Sequence, residues 1–447
     1  MPLQDEKIQK SLRYSIFDGA FSAAMIGFGE SFFVPFALFL KATSIQIGVL
    51  SSLPQALGSL LQLFSGRLIS FFGSRKRLVA LAALLQGLMY IPVALVFFFG
   101  TFRVYHLILF ICLYWIFGMI LSPAWNSWMG DLTAERQRGA YFGRRSKITG
   151  TATFVAFLAA GYILQKSANG TSTQYGGFII IFFLACVSRI VSSLYLWKQH
   201  EPEFIERRKP RIGGGLLTFI RNARSGNYGL FALYLGLMNF SVYMAAPFFI
   251  PYMLNDLHLS YLTFTIVNAA AIIVKIFSIP VWGKAADRFG AKRVLSLTGF
   301  LMPLVPLLWL FSGDVLYLIL IQFYSGFIWG GFEISSFNFI FDTTTPQSRA
   351  TDVAYYNAIN GIALVTGALA GSLIARYNAV FWSKYLLIFG MSGLLRYMAS
   401  AFFIPRIREV REVEMIPYSR LFLKVISNMP TMGLVYQLIP FRGKRKA

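Results

Sequence analysis

Five ionisable side chains sit inside apolar runs of this 447-residue chain: Glu30, Arg189, Lys275, Glu333 and Arg396. A charge at the centre of a bilayer costs about 2.5–3.5 kcal/mol on insertion scales, so such a group faces a partner or a water-filled cavity. The chemistry open to these residues is protonation and ion pairing. Glu30 and Glu333 can exchange a proton or hold a cationic group, and Lys275 can pair with either carboxylate or anchor a carboxylate or phosphate. The plainer alternative for Glu30 is a carboxylate neutralised by a buried Lys or Arg. Asn126 with Trp125 and Trp128, Asn239 with Tyr243, Asn268, and Trp329 offer hydrogen bonds and aromatic walls. That mix suits a small amphipathic organic molecule, although for each residue singly packing or interface anchoring is the plainer reading. Catalytic and metal chemistry find no support. His106, His200 and His258 are far apart, and Cys112 and Cys186 each lie in an apolar run. Without a metal-ligand spacing or a disulfide framework, no cofactor is expected.

The elements that must position these residues follow from composition. The chain is 56% hydrophobic and only 13% charged, against about 25% charged in a soluble domain. Its apolar runs are roughly 20 residues long, enough to span a bilayer as helices. Twelve helices are expected, at 16–40, 45–69, 78–100, 105–128, 147–166 and 177–197, then 228–254, 261–283, 294–312, 315–340, 354–375 and 385–404. The polar start, 1–14, has no early apolar core, so no cleaved signal peptide is expected. Residues 198–226, rich in Lys, Arg, Gly and Pro, read as a linker, and 405–447 as a basic tail. The net charge of +23 would suggest nucleic acid in a soluble protein. Here, however, twenty Lys and Arg fall in alternate loops and five in the others. Under the positive-inside rule that places both termini in the cytoplasm, with no nucleic-acid role.

The two sets of helices repeat one another. Phe32-Phe33-Val34-Pro35 matches Phe248-Phe249-Ile250-Pro251 at an offset of 216. A hairpin with glycines seven apart and basic residues behind them occurs twice, Gly66 to Arg77 and Gly283 to Arg293, at an offset of 217. Asp131, Thr133, Arg138, Ile148 and Gly150 match Asp342, Thr344, Arg349, Ile359 and Gly361 at 211. Three matches in one order with nearly constant offset mark duplicated halves. Glu30, Lys275 and Glu333 stand opposite Ala246, Ser59 and Ser122 in the repeat, so the architecture itself does not demand those charges. Arg189 and Arg396 stand at nearly equivalent places and read as structural, snorkelling or paired.

The hairpins, and Glu135-Arg136-Gln137-Arg138-Gly139 after the fourth helix, resemble the major facilitator superfamily of transporters. The resemblance covers roughly 15–404. It implies an all-α polytopic membrane protein, with twelve transmembrane helices in two pseudo-symmetric six-helix bundles, 15–197 and 227–404. It also implies a midplane site lined by the first, fourth, seventh and tenth helices, which favours Glu30 and Glu333. Three departures stand out. Ser70 replaces the acid of the first hairpin, the fourth helix lacks the Arg of many proton-coupled members, and the fifth lacks a Gly-Pro motif. The function implied is secondary active transport of a small organic solute by alternating access, coupled to protons. The alternatives are a lipid or lysolipid translocase and a non-transporting receptor or accessory subunit. In the family the hairpin charges form a cytoplasmic gate. Here that gate would comprise Gly66, Gly73, Arg75, Asp131, Glu135 and Arg138 in one half. In the other it would comprise Gly283, Asp287, Arg288, Gly290, Arg293, Asp342 and Arg349. Asp287 would dominate the latch, with Arg144 or Arg145 as partner. A monomer in a bacterial inner membrane is expected. Residues 416–440 of the tail are expected to form short amphipathic helices on anionic lipid.

Overall fold

The computed structural model describes residues 2–133, 138–202, 226–344, 349–378, 383–414 and 416–428. The described residues contain no strand. Eleven helices are long and apolar enough to cross a membrane: α1 Glu6–Phe39, α3 Arg75–Phe98, α4 Gly100–Leu132, α5 Tyr141–Lys166, α6 Thr171–Lys198, α7 Asn227–Asp256, α8 Tyr261–Phe289, α9 Ala291–Leu308, α10 Val315–Thr343, α11 Tyr355–Tyr377 and α12 Leu386–Phe403. The twelfth, α2, is a pair, Ser44–Leu61 and Ser65–Phe72, bent by 55°. A short α13, Tyr418–Ser427, follows. With that bent pair counted as one span, the described residues hold the expected twelve, with two departures at the chain ends.

The helix leading into α1 starts at Pro2, inside the stretch read as a polar tail. Gln, Glu and Lys are good helix formers, and neighbours fix this extension. The backbone N–H of His200 donates to Ser11 Oγ at 2.7 Å, and Tyr141 Oη donates to Leu12 O at 3.3 Å. At the other end α13 forms, but its Leu421 and Val425 are buried against Trp282, Phe289 and Val294. The apolar face expected on lipid is thus taken up by protein. Of the remaining tail, 429–447 lies outside the described residues.

The duplication is visible in backbone geometry. α1 breaks into a 3-10 turn at Glu30–Phe32, and α7 does the same at Ala246–Phe248, at the offset of 216. Pro35 and Pro251 are the cause. Each lacks an N–H and crowds the carbonyl four residues earlier, so the preceding turn leaves the α geometry. The second glycine of each hairpin has positive φ, +63° at Gly73 and +94° at Gly290. Only glycine adopts that turn without penalty.

Two compact units emerge. One comprises Met1–Pro210, Asn239–Ala269 and Tyr356–Phe389; the other Arg211–Met238, Ala270–Tyr355 and Gly390–Ala447. In the first unit, glycines let helices meet at their backbones. A Cβ at Gly27 of α1 would lie 2.6 Å from Thr153 O of α5. On α11, a Cβ at Gly367 or Gly371 would land on the carbonyl oxygen of Phe240 or Met244 of α7. In the second unit, a Cβ at Gly326 of α10 would land on Ala271 O of α8. Small residues four apart permit such approach where lipid gives no hydrophobic drive.

Candidate functional site

Glu30 stands in the 3-10 break of α1, where proline has freed the helix from regular geometry. Tyr114 Oη on α4 donates to its Oε2 at 2.7 Å. Tyr90 on α3 packs edge-on against Tyr114, ring centroids 5.4 Å apart, and close against Gly29. A side chain at position 29 would displace the Tyr90 ring. No ion pair joins Glu30 to a described residue. Among these residues its hydrogen-bond partner is a phenol rather than the Lys or Arg of the plainer alternative.

A second polar group in the same unit gathers Asn239, whose Nδ2 donates to Asn360 Oδ1 at 2.6 Å, and Tyr243, whose hydroxyl is 3.5 Å from Gln55 Oε1. It joins α2, α7 and α11. Asn268 is turned back on its own helix, its Nδ2 donating to Phe264 O at 2.8 Å. Asn126 is exposed on α4. Trp128 is fully buried and donates to His200 O at 3.0 Å, so it serves packing and anchoring. Trp125 lies under the Arg145 guanidinium at 4.4 Å.

In the second unit Lys275, the central residue of α8, reaches Glu333 of α10 at 2.6 Å. The two side chains remain 37% and 45% exposed. Trp329 lies one turn from Glu333 and meets Phe332 edge-on at 6.1 Å.

Sequence reasoning missed a buried network in the first unit. Asp18 accepts from Ser192 Oγ at 2.7 Å and pairs with Arg145 at 3.4 Å. Arg189 donates to Gln86 Oε1, Ser22 Oγ and Ser192 Oγ at 2.9–3.0 Å. Arg189 thus has partners on α1, α3 and its own helix. Arg396, also buried, reaches Met302 O at 3.5 Å.

The gate residues divide by unit. In the first, Arg75 is fully buried, pairs with Asp131 at 2.6 Å and donates to Ser127 Oγ at 3.1 Å. Its backbone N–H donates to Glu201 at 2.7 Å. In the second unit Glu409 takes the backbone N–H of Lys292 at 3.0 Å. A carboxylate from the segment after α6 therefore caps α3, and its counterpart after α12 caps α9. A sequence match would have required Glu201 and Glu409 to be aligned at an offset of 208. The same downstream segment holds two arginines of the second hairpin and an acid at the end of α10. Arg288 pairs with Glu414 at 2.8 Å, Arg293 donates to Ile416 O, and Arg411 Nε donates to Asp342 at 2.8 Å. Asp287 is exposed and has no ion pair with a described residue of its unit, while Arg145, named as its partner, is engaged by Asp18. A Cβ at Gly66 would meet open space, and one at Gly283 would reach Ile334 Cγ1 at 3.9 Å. Glu135 lies outside the described residues; Arg138 and Arg349 begin the helices leading into α5 and α11.

A family model described as Major Facilitator Superfamily matches residues 19–250 and 230–438. Against curated protein sequences the chain finds no match. Among solved structures it is similar to a D-xylose–proton symporter, with TM-score 0.69 at 12% identity, covering 91% of this chain and 99% of that one. A point mutant of the nucleoside transporter NupG gives 0.65 at 14%, covering 90% and 100%. A bacterial homologue of the human lysosomal transporter Spinster, in an inward-facing occupied conformation, gives 0.64 at 15%, covering 95% and 98%.

Proposed function

The chain belongs to the major facilitator superfamily, and from that premise we propose that it is a proton-coupled secondary transporter of a small organic solute. Residues 15–197 and 227–404 are the two bundles, moving about a midplane site, with both termini in the cytoplasm of a bacterial inner-membrane protein. The observation that carries the coupling is Glu30. It is a carboxylate within a membrane span, hydrogen-bonded by the Tyr114 hydroxyl and in no ion pair with a described residue. A group so placed can bind and release a proton without breaking an ion pair, and proton relays in transporters use such carboxylates. In one unit Lys275, Glu333 and Trp329 offer opposite charges and an aromatic face to a polar solute; in the other Asn239, Asn126, Asn268 and Tyr243 offer hydrogen bonds.

The test is a stability screen of the purified protein against a metabolite library at pH 5.5 and 7.5, with Glu30→Gln beside wild type. A ligand that binds only the folded protein raises stability with the logarithm of its concentration. A ligand whose shift depends on pH in wild type and not in the variant supports the reading. A ligand with identical pH dependence in both removes Glu30 from coupling.

A further inference from the structure

The first hairpin borders an open pocket of about 580 Å³ at the junction of α2, α3 and α6. Phe72, Lys76, Arg77, Trp197, His200 and Glu201 line it. Glu201 is committed elsewhere: it takes the Ser74 hydroxyl and the Arg75 backbone N–H, beside the Arg75 guanidinium. The side chains of Lys76 and Arg77 have no hydrogen bond or ion pair with a described residue. The pocket is thus cationic, and its rim is apolar: Trp197 is 38% and the neighbouring Phe71 83% exposed. It lies where three spans end, the depth of lipid headgroups.

The repeat shows what this place accepts. Counterparts of Phe72, Lys76 and Arg77 at the hairpin offset are Phe289, Arg293 and Val294. In the second unit that place is filled by the chain itself. Leu421 and Val425 of α13 pack on Phe289 and Val294, and Arg293 lies 5.8 Å from the Tyr418 ring. In the first unit the apolar seat for a helix has been replaced: Arg77 stands where Val294 stands.

We infer that the pocket beside Lys76 and Arg77 binds the phosphate of an anionic phospholipid headgroup, with the acyl chains along Phe71 and Trp197. Basic pockets at the cytoplasmic ends of spans hold headgroups in this way. This assignment rests on the positive-inside orientation and not on Glu30.

Native mass spectrometry of the purified full chain tests it, with phosphatidylglycerol, phosphatidylcholine or inorganic phosphate added. Wild type binds phosphatidylglycerol in preference to phosphatidylcholine, and millimolar inorganic phosphate does not displace it. The double variant K76Q/R77Q binds phosphatidylglycerol about thirtyfold more weakly, each basic residue near an anionic headgroup being worth about a factor of five. Lys284→Gln in the second hairpin binds as wild type, and so does Glu30→Gln. Arg77 is exposed and Lys76 half-buried, and neither side chain has a hydrogen bond or ion pair with a described residue, so the double variant keeps its melting temperature. Equal phosphatidylglycerol affinity in K76Q/R77Q and wild type overturns the proposal. Displacement by inorganic phosphate, without preference between the lipids, overturns the lipid as source and leaves a soluble phosphate ligand.

Discussion

Tyr114 on α4 donates its hydroxyl to Glu30 on α1 across 2.7 Å, tying a membrane carboxylate to a neighbouring helix through a neutral donor. Tyr114→Phe keeps the ring that packs on Tyr90 and removes only this hydrogen bond. A hydrogen bond to a charged group is worth about 1.5–3 kcal/mol, so the variant is expected to melt several degrees lower at neutral pH. In Glu30→Gln the same substitution changes little more, because the two residues share the interaction. Additive losses in the double variant would show that the contact contributes nothing.

The Lys275–Glu333 pair predicts a double-mutant pattern. Removing one partner leaves a lone charge at mid-span, whereas removing both leaves none. Because both side chains are more than a third exposed, the loss on Lys275→Met is expected to be about 1–2 kcal/mol, well below that of a fully buried pair. K275M/E333Q is expected to recover most of it. Thermal unfolding in one detergent measures all three, and a double variant less stable than both singles would contradict the pairing.

Gly66, Gly73 and Gly290 occupy related hairpin positions and respond differently to alanine. Gly66 lies in a helix with open space around it, so Gly66→Ala gains up to about 1 kcal/mol. Gly73 has left-handed backbone, and Gly73→Ala loses about 1–2 kcal/mol. At Gly290 the new methyl also meets the Glu409 carboxylate that caps α9, so Gly290→Ala is the most damaging of the three. The order of melting temperatures, Gly66→Ala above Gly73→Ala above Gly290→Ala, is the check.

Removal of Leu421 and Val425 should be felt in the second unit. Each is buried against the ends of α8 and α9 that meet at the second hairpin. Truncating a buried Leu to Ala costs about 2–5 kcal/mol. L421A/V425A is therefore expected to lower the melting temperature and make residues 417–428 readily cleaved by protease. Unchanged cleavage would mean that the helix is not seated on this cluster.

Sequence by itself determined the membrane-length helices, the duplication and the family. Each is written in local pattern: apolar runs of fixed length, glycines seven apart, and Phe-Phe-x-Pro, whose proline breaks α1 and α7 at the same offset. It also flagged Glu30, Lys275 and Glu333, since a charge in an apolar run is conspicuous wherever the chain then folds. Partners were decided only in three dimensions. Tyr114 is one of 22 tyrosines, and nothing local distinguishes it. It meets Glu30 because α1 and α4 are packed at one depth and rotation. Asp18 captures Arg145, and the segment after α12 takes Arg288, Arg293 and the α9 terminus, for the same reason. Hydrogen bonds and ion pairs extend only a few ångströms, so choosing among equally suitable residues requires the axial and rotational register of helices distant in the chain, which tertiary packing sets and local sequence does not encode.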